Sequence, residues 1–193
     1  MTGRPREFDL EDRLDRAMRV FWRHGYEGTS LADLTSAMGI NRPSLYAAYG
    51  NKESLFRQCL DRYGEGPASH VRAAMAEPTA RATAEHLLRG VIAVTTRDEG
   101  PGCLLIQSAL TTSAQSEPVR AEVRARRLAS QEMLLARFER AREEGEFAPE
   151  VDVLDLARYI STVSYGLAVQ AANGTDAAAL NRTVDLAFRA WPD

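Results

Sequence analysis

The side chains with the most chemistry to offer gather in one stretch, NRPSLYAAYGNKESL, at positions 41–55. It carries Arg42, Ser44 and Lys52, the only lysine among 24 basic residues. Such groups bind by charge and hydrogen bonding, and nothing beside them completes a catalytic set. The chain shows no paired carboxylates, nucleophile elbow or phosphate loop. His24, His70 and His86 lack metal-ligand spacing, and Cys59 and Cys103 show no CxxC pattern. The chain is therefore expected to be no enzyme, with no metal and no cofactor.

The elements that hold these residues are marked out by breakers. Between the glycines and prolines, apolar residues recur at three and four, and no segment alternates long enough for a strand. An all-α protein is expected. A first helix runs from about Leu10 to His24, with Leu14, Ala17, Met18, Phe21 and Trp22 on one stripe. Thr29 and Ser30 offer hydroxyl caps to a short helix, Leu31 to Met38. After Gly39, Asn41 caps a third helix. Pro43 falls in its first turn, where a missing N–H costs little. Asn51 caps a fourth helix carrying Leu55, Phe56, Cys59, Leu60 and Tyr63. Further helices are expected near 68–77, 80–97, 103–115, 118–145, 152–172 and 176–191. The charges of 118–145 read as a solvated face.

The second and third helices, joined across Gly39–Ile40, make a helix-turn-helix unit. The second helix of such a unit lies in the major groove, with its first residues toward base edges. Here these are Asn41, Arg42, Pro43, Ser44 and Leu45. Leu45 is expected to face inward with Leu34, Ala37 and Ile40, leaving Arg42 and Ser44 outside. From spacing alone, a plain helical hairpin in a bundle fits as well. The net charge of −3 does not favour nucleic acid, although the first 63 residues carry ten basic and nine acidic groups. Any DNA contact must rest on local placement of charge. The segment GRPR, positions 3–6, sets Arg4 and Arg6 ahead of the first helix, as a minor-groove arm or as a disordered terminus.

The run AMRVFWRHGYEGTSLADLTSAMGINRPSLYAAYGNKESLF, positions 17–56, resembles the DNA-binding domain of the TetR family of transcriptional repressors. The likeness lies in Phe21 with Gly25-Tyr26-Glu27-Gly28-Thr29-Ser30, in Ala37-Met38-Gly39-Ile40, in Ser44-Leu45-Tyr46 with Tyr49, and in Asn51-Lys52-Glu53 with Leu55. The resemblance implies a three-helix DNA-binding domain over 1–50, a connecting helix over 51–66, and a C-terminal ligand-binding and dimerisation domain over 67–193. It implies that Lys52 touches a DNA phosphate at a helix start, and that Tyr46 and Thr29 or Ser30 reach the backbone. It places Arg42, Pro43 and Ser44 toward the major groove. Arg42 can take a guanine edge bidentately, and Pro43 and Ala47 can pack on thymine methyls. Ala47 and Ala48 stand where the family often has larger side chains. Shape and backbone contacts then carry more of the specificity.

The same resemblance implies partners: a double-stranded operator, a small-molecule effector of unknown identity, and a second copy of the chain. The last two helices are expected to dimerise. Ser161, Ser164, Gly166, Ala168, Ala171 and Ala172 permit close approach of helices. Gln107, Met133, Arg137, Tyr159 and Thr162 are pocket candidates that mix apolar walls with polar anchors. Cys103 opens a helix behind Gly100-Pro101-Gly102 and reads either as a sensor thiol or as a small buried apolar residue. A redox or electrophile sensor on this scaffold, and a helical interaction module without DNA binding, stand as alternatives. With no apolar run near the roughly 20 residues of a membrane span, and no signal-peptide core in MTGRPREFDLED, a cytoplasmic location is expected.

Overall fold

A computed structural model describes residues 4–97, 100 and 102–192, with residues 4–8 as backbone only. Among the described residues every regular element is helical, and no helix is long and apolar enough to cross a membrane. The first four helices are α1 (Arg4–His24), α2 (Leu31–Met38), α3 (Arg42–Tyr49) and α4 (Lys52–Glu65). Then come α5 (His70–Ala74), α6 (Ala80–Thr95), α7 (Leu104–Thr111), α8 (Glu117–Glu143), α9 (Val153–Ala172) and α10 (Ala177–Ala187). Short 3-10 turns lie at Ala114–Ser116 and Phe188–Ala190.

Four boundaries differ from the sequence expectation. Helix α1 starts at Arg4, well ahead of Leu10, so the backbone of Arg4 and Arg6 is helical and not an extended arm. Their side chains, and Gly3, lie outside the described residues. The helix expected at 68–77 shrinks to the five residues of α5, hemmed in by Gly66-Pro67 and Pro78. The helix expected at 103–115 stops at Thr111. There Thr112 turns extended while its hydroxyl donates back to the Ser108 carbonyl at 2.7 Å. The last helix ends at Ala187, because Pro192 excludes Trp191 from helical backbone; Trp191 sits at ψ 129°.

Helices of eight residues are too short to persist alone in water, so α2 and α3 depend on their ends and their packing. The Ser30 hydroxyl and Asp33 carboxylate form a reciprocal cap on α2. At its other end Gly39 adopts φ 65°, and the amides of Gly39 and Ile40 reach back to the carbonyls of Ser36 and Thr35. Asn41 then caps α3 through the Ser44 amide at 2.9 Å. Leu34 and Leu45 are fully buried against the aromatic centre of the first core. There Phe21 meets Phe56 edge-on at 5.0 Å and Trp22 meets Tyr63 at 4.9 Å. The Tyr49 hydroxyl donates to the Leu10 carbonyl at 2.9 Å, tying the end of α3 to α1.

The second core is built chiefly by α6, α8, α9 and α10. The two cores are not separate. Val94, Leu104, Val119 and Val123, all from the C-terminal part, are buried within the first. The Trp22 indole N–H donates to the Gly102 carbonyl at 2.9 Å, and its ring packs flat under Gly100. Outside this seam, Arg126 of α8 pairs with Asp61 of α4 at 2.7 Å, and the Ser113 hydroxyl donates to the Glu27 carboxylate at 2.9 Å.

A methyl group on Gly100 would stand 2.4 Å from the Trp22 ring. Gly100→Ala is expected to destabilise the fold by about 1–3 kcal/mol through overpacking, read as a lower urea midpoint. An unchanged midpoint would show that the turn yields freely.

Candidate nucleic-acid interface and internal cavity

The face offered to solvent by α3 matches its sequence reading in outline. Arg42, Pro43, Ser44, Tyr46 and Ala47 are exposed, Tyr46 to 49%. Arg42 forms no ion pair among the described residues, which leaves its guanidinium free for an acceptor. Ala48 is exposed as well, so the middle of this helix is shallow. Asn41 is exposed too, but its side-chain oxygen is committed to the α3 cap.

Two hydroxyls fall short of the roles expected of them. Thr29 is 1% exposed, and its hydroxyl donates to the Gly25 carbonyl at 2.7 Å. It closes the elbow after α1 and presents nothing to a phosphate. Ser30 is exposed, but its hydroxyl donates to Asp33 at 2.6 Å. That carboxylate also occupies the positive end of α2, where an incoming phosphate would meet it.

Lys52 opens α4, as its spacing after Asn51 predicts. Its ammonium lies 4.3 Å from the centre of the Tyr26 ring, which in turn stands edge-on to Phe56 at 5.1 Å. Partial burial pulls the Lys52 ammonium below its ordinary pKa, and the nearby Glu27 carboxylate works in the opposite direction. Glu27 is held below the usual carboxylate range by the hydroxyls of Ser116 and Ser113. The cation is thus fixed at a helix start by groups that also reach the junction between α7 and α8.

Inside the C-terminal part lies a cavity of about 90 Å³. Its lining includes a stripe on α8, Arg127, Ser130, Gln131 and Leu134, spaced at three, four and seven. Across from it α9 contributes Ser161, Ser164, Tyr165 and Ala168 at the same spacing. Helices α5 and α6 close the other side with Val71, Met75, Leu87 and Val91, while Tyr63 of α4 and Cys103 stand at the end nearest the first core. The Arg127 guanidinium stacks 4.7 Å from the Tyr165 ring, and its Nε is buried without a partner among the described residues.

Of the six pocket candidates chosen from sequence, only Cys103 lines this cavity. Met133 and Tyr159 point outward, at 41% and 42% exposure. Thr162 is exposed and returns its hydroxyl to the Arg158 carbonyl. Arg137 is buried elsewhere, against Glu146 at 3.3 Å and the Glu77 carbonyl. Gln107 packs beside Gly102. Sequence reasoning missed Arg127, Ser130, Gln131 and Tyr165. Their signal was the three-four-seven spacing, obscured on α8 by a surplus of surface arginines.

His70 also borders the cavity. Its Nδ1 lies 3.4 Å from the Pro67 carbonyl, and its buried Nε2 has no partner among the described residues. Burial, more than any neighbour, lowers its pKa from the ordinary 6.5. The folded state therefore binds this proton less readily than the unfolded one. The His70 contribution is fully present above pH 6.5 and is lost as pH falls through the lower folded value. His70→Gln is expected to flatten this part of the stability–pH curve on the acid side of neutrality, as followed by thermal melts. An unchanged slope would reject this origin.

The family model "Bacterial regulatory proteins, tetR family" matches residues 14–59, and "Tetracyclin repressor-like, C-terminal domain" matches residues 71–187. The HTH-type transcriptional repressor ComR of Escherichia coli (strain K12) is 36% identical over 195 residues, spanning 99% of this chain and 92% of its own. The HTH-type transcriptional regulator YezE of Bacillus subtilis (strain 168) is 32% identical, spanning 96% and 97%. A solved structure of a cysteine mutant of the TetR family transcriptional regulator CifR, complexed with 26-base-pair operator DNA, is 44% identical. It covers 98% of this chain and 100% of that one, at a TM-score of 0.89. Two family models and full-length relatives thus coincide with the exposed α3 face and the all-helical body, and the chain belongs to the TetR family of transcriptional regulators.

Proposed function

We propose that the protein is a repressor that binds a palindromic operator as a homodimer and leaves it when a small effector fills the C-terminal cavity. One observation carries the DNA contact: an exposed helix start that presents Arg42, Pro43 and Ser44, flanked by the fixed cation of Lys52. In this reading Arg42 reads a base edge, while Tyr46 and Lys52 grip phosphates. Ala47 packs on a thymine methyl. The effector link runs through α7, whose side chains border the cavity and whose flanking residues Gly102 and Ser113 meet Trp22 of the first core and Glu27 of the elbow after α1.

Support for the dimer comes from α9 and α10. Gly166 lies mid-helix on an exposed face, where a glycine costs about 1 kcal/mol relative to alanine. A methyl added there would touch nothing within 4 Å in the monomer. Close approach by a second helix gives this glycine a purpose. Beside it an open groove between α7, α9 and α10 includes Leu110, which is 69% exposed, and Leu186 on α10 is 62% exposed.

Gel shifts against the DNA flanking its own coding region test the central claim. Arg42→Ala is expected to weaken specific binding by about 1–3 kcal/mol and to relax one operator position. Lys52→Ala should weaken all sequences alike and lower the salt slope by about one per bound subunit. The absence of any specific shift would leave the helical interaction module standing instead. Gly166→Leu is expected to move the protein from dimer to monomer in sedimentation; an intact dimer would place the interface elsewhere.

A second reading makes Cys103 itself the responsive group, reacting with an oxidant or electrophile. Its one favouring observation is that the half-buried thiol borders the cavity at the start of α7. Peroxide release of operator from Cys103→Ser as readily as from the wild type would end it.

A further inference from the structure

The reading of the cavity as an effector site leaves the ligand's chemistry open, and three features of its walls restrict it. Resting on that reading, we propose that the cavity accepts a small organic monoanion, a short-chain carboxylate whose head pairs with Arg127 and whose tail lies against α5 and α6.

The first feature is size. At about 90 Å³ the cavity is well under the roughly 300–1,000 Å³ of sites for larger ligands, which points to a small ligand.

Sidedness is the second. Arg127, Ser130 and Gln131 of α8 face Ser161, Ser164 and Tyr165 of α9, so most of the polar groups gather in one half. Val71, Met75, Leu87 and Val91 make most of the other half apolar; His70 stands among them, and Thr95 does too with its hydroxyl committed to the Val91 carbonyl. A ligand that satisfies both halves has one polar end and one hydrocarbon end.

The third is charge. Among the described residues no aspartate or glutamate lines the cavity. Of the buried and half-buried arginines of the same helix, Arg126 and Arg137 each pair with a carboxylate, whereas Arg127 pairs with none among the described residues. Its Nε is buried with no acceptor among the described residues, and its guanidinium is held in place by the Tyr165 ring. An uncompensated guanidinium between low-dielectric walls attracts an anion and repels a cation. Arg127, Tyr165 and Ile106 also border the open groove between α7, α9 and α10. The charge thus stands at the partition between the cavity and that groove.

The test compares butyrate, butyramide and butylamine, one tail with three heads, on the full-length protein at constant ionic strength. Calorimetry and thermal shift at millimolar concentrations read binding. Butyrate is expected to bind at least about tenfold more tightly than the amide, since a charge-assisted pair is roughly twice as strong as a neutral one. Butylamine should give no shift. Arg127→Met should remove the preference for acid over amide, and Arg127→Lys should retain it. Equal binding of acid and amide, preference for the amine, binding of none of the three, or undiminished butyrate affinity in Arg127→Met would each overturn the proposal. Operator gel shifts run in parallel separate it from the regulatory reading. Butyrate bound through Arg127 without loss of operator affinity upholds the ligand class and removes the regulatory role. Release by butyramide as effective as by butyrate does the reverse.

Discussion

The Trp22 indole is the piece on which both halves of the molecule lean. It is 2% exposed, stacked edge-on against Tyr63 and covered by Gly100, with its one polar atom satisfied by the Gly102 carbonyl. A large aromatic ring buried with its N–H paired supplies much apolar contact and one directional bond. Here the directional bond crosses from the first core to the turn that starts α7. That turn therefore cannot shift without breaking the bond or moving α1. The glycine above the ring is the sequence trace of this contact, because any side chain at 100 would occupy the space of the indole.

Once α1 is fixed, the short helices that face DNA need little more. Each of α2 and α3 has only eight residues, and each is stopped and started by side chains chosen for that purpose: Ser30 with Asp33, Gly39 in a left-handed conformation, and Asn41. Their inward anchors are few, Leu34 and Met38 on α2 and Leu45 and Tyr49 on α3. The cost of this economy falls on the outward face. Ser30 and Asn41 serve the caps, and in the proposed reading the contact burden moves to Arg42, Ser44, Tyr46 and Lys52.

These differences show which parts of the molecule were legible in the sequence. Caps, glycine stops and apolar spacing act between near neighbours. That is why α2, α3 and the start of α4 fell where the sequence placed them, and why Leu45 turned inward and Arg42 outward. The family likeness over 17–56 rested on the same local signals and held for the chain as a whole. Cavity residues obey a different logic. Whether Arg127 or Arg137 faces a void depends on how α8 rolls against α9 and on what closes its ends, and both arginines look alike in sequence. Arg137 found Glu146, nine positions later across a turn, while Arg127 found a tyrosine ring on another helix. Thr29 misled for a related reason: a hydroxyl beside a helix start suggests a cap or a phosphate contact, but four residues back Gly25 left a carbonyl that needed it.

In the proposed effector reading, the position of α7 makes a small cavity sufficient for control over a distance. An eight-residue helix is about 12 Å long. Its starting turn is held by Trp22, and just past its end Ser113 is held by Glu27. Cys103, Leu105 and Ile106 form part of the cavity wall. A helix held at both ends does not bend to admit a ligand; it moves as a rod or loses one of its two anchors. Either outcome reaches the DNA-facing helices. Movement as a rod carries α1 with it through the indole. Loss of the second anchor frees Glu27, the carboxylate beside Lys52, and so alters the electrostatic setting of the one lysine in the chain. Because packed cores switch between discrete arrangements and do not deform smoothly, a ligand of a few atoms needs only to favour one seat of α7 over another.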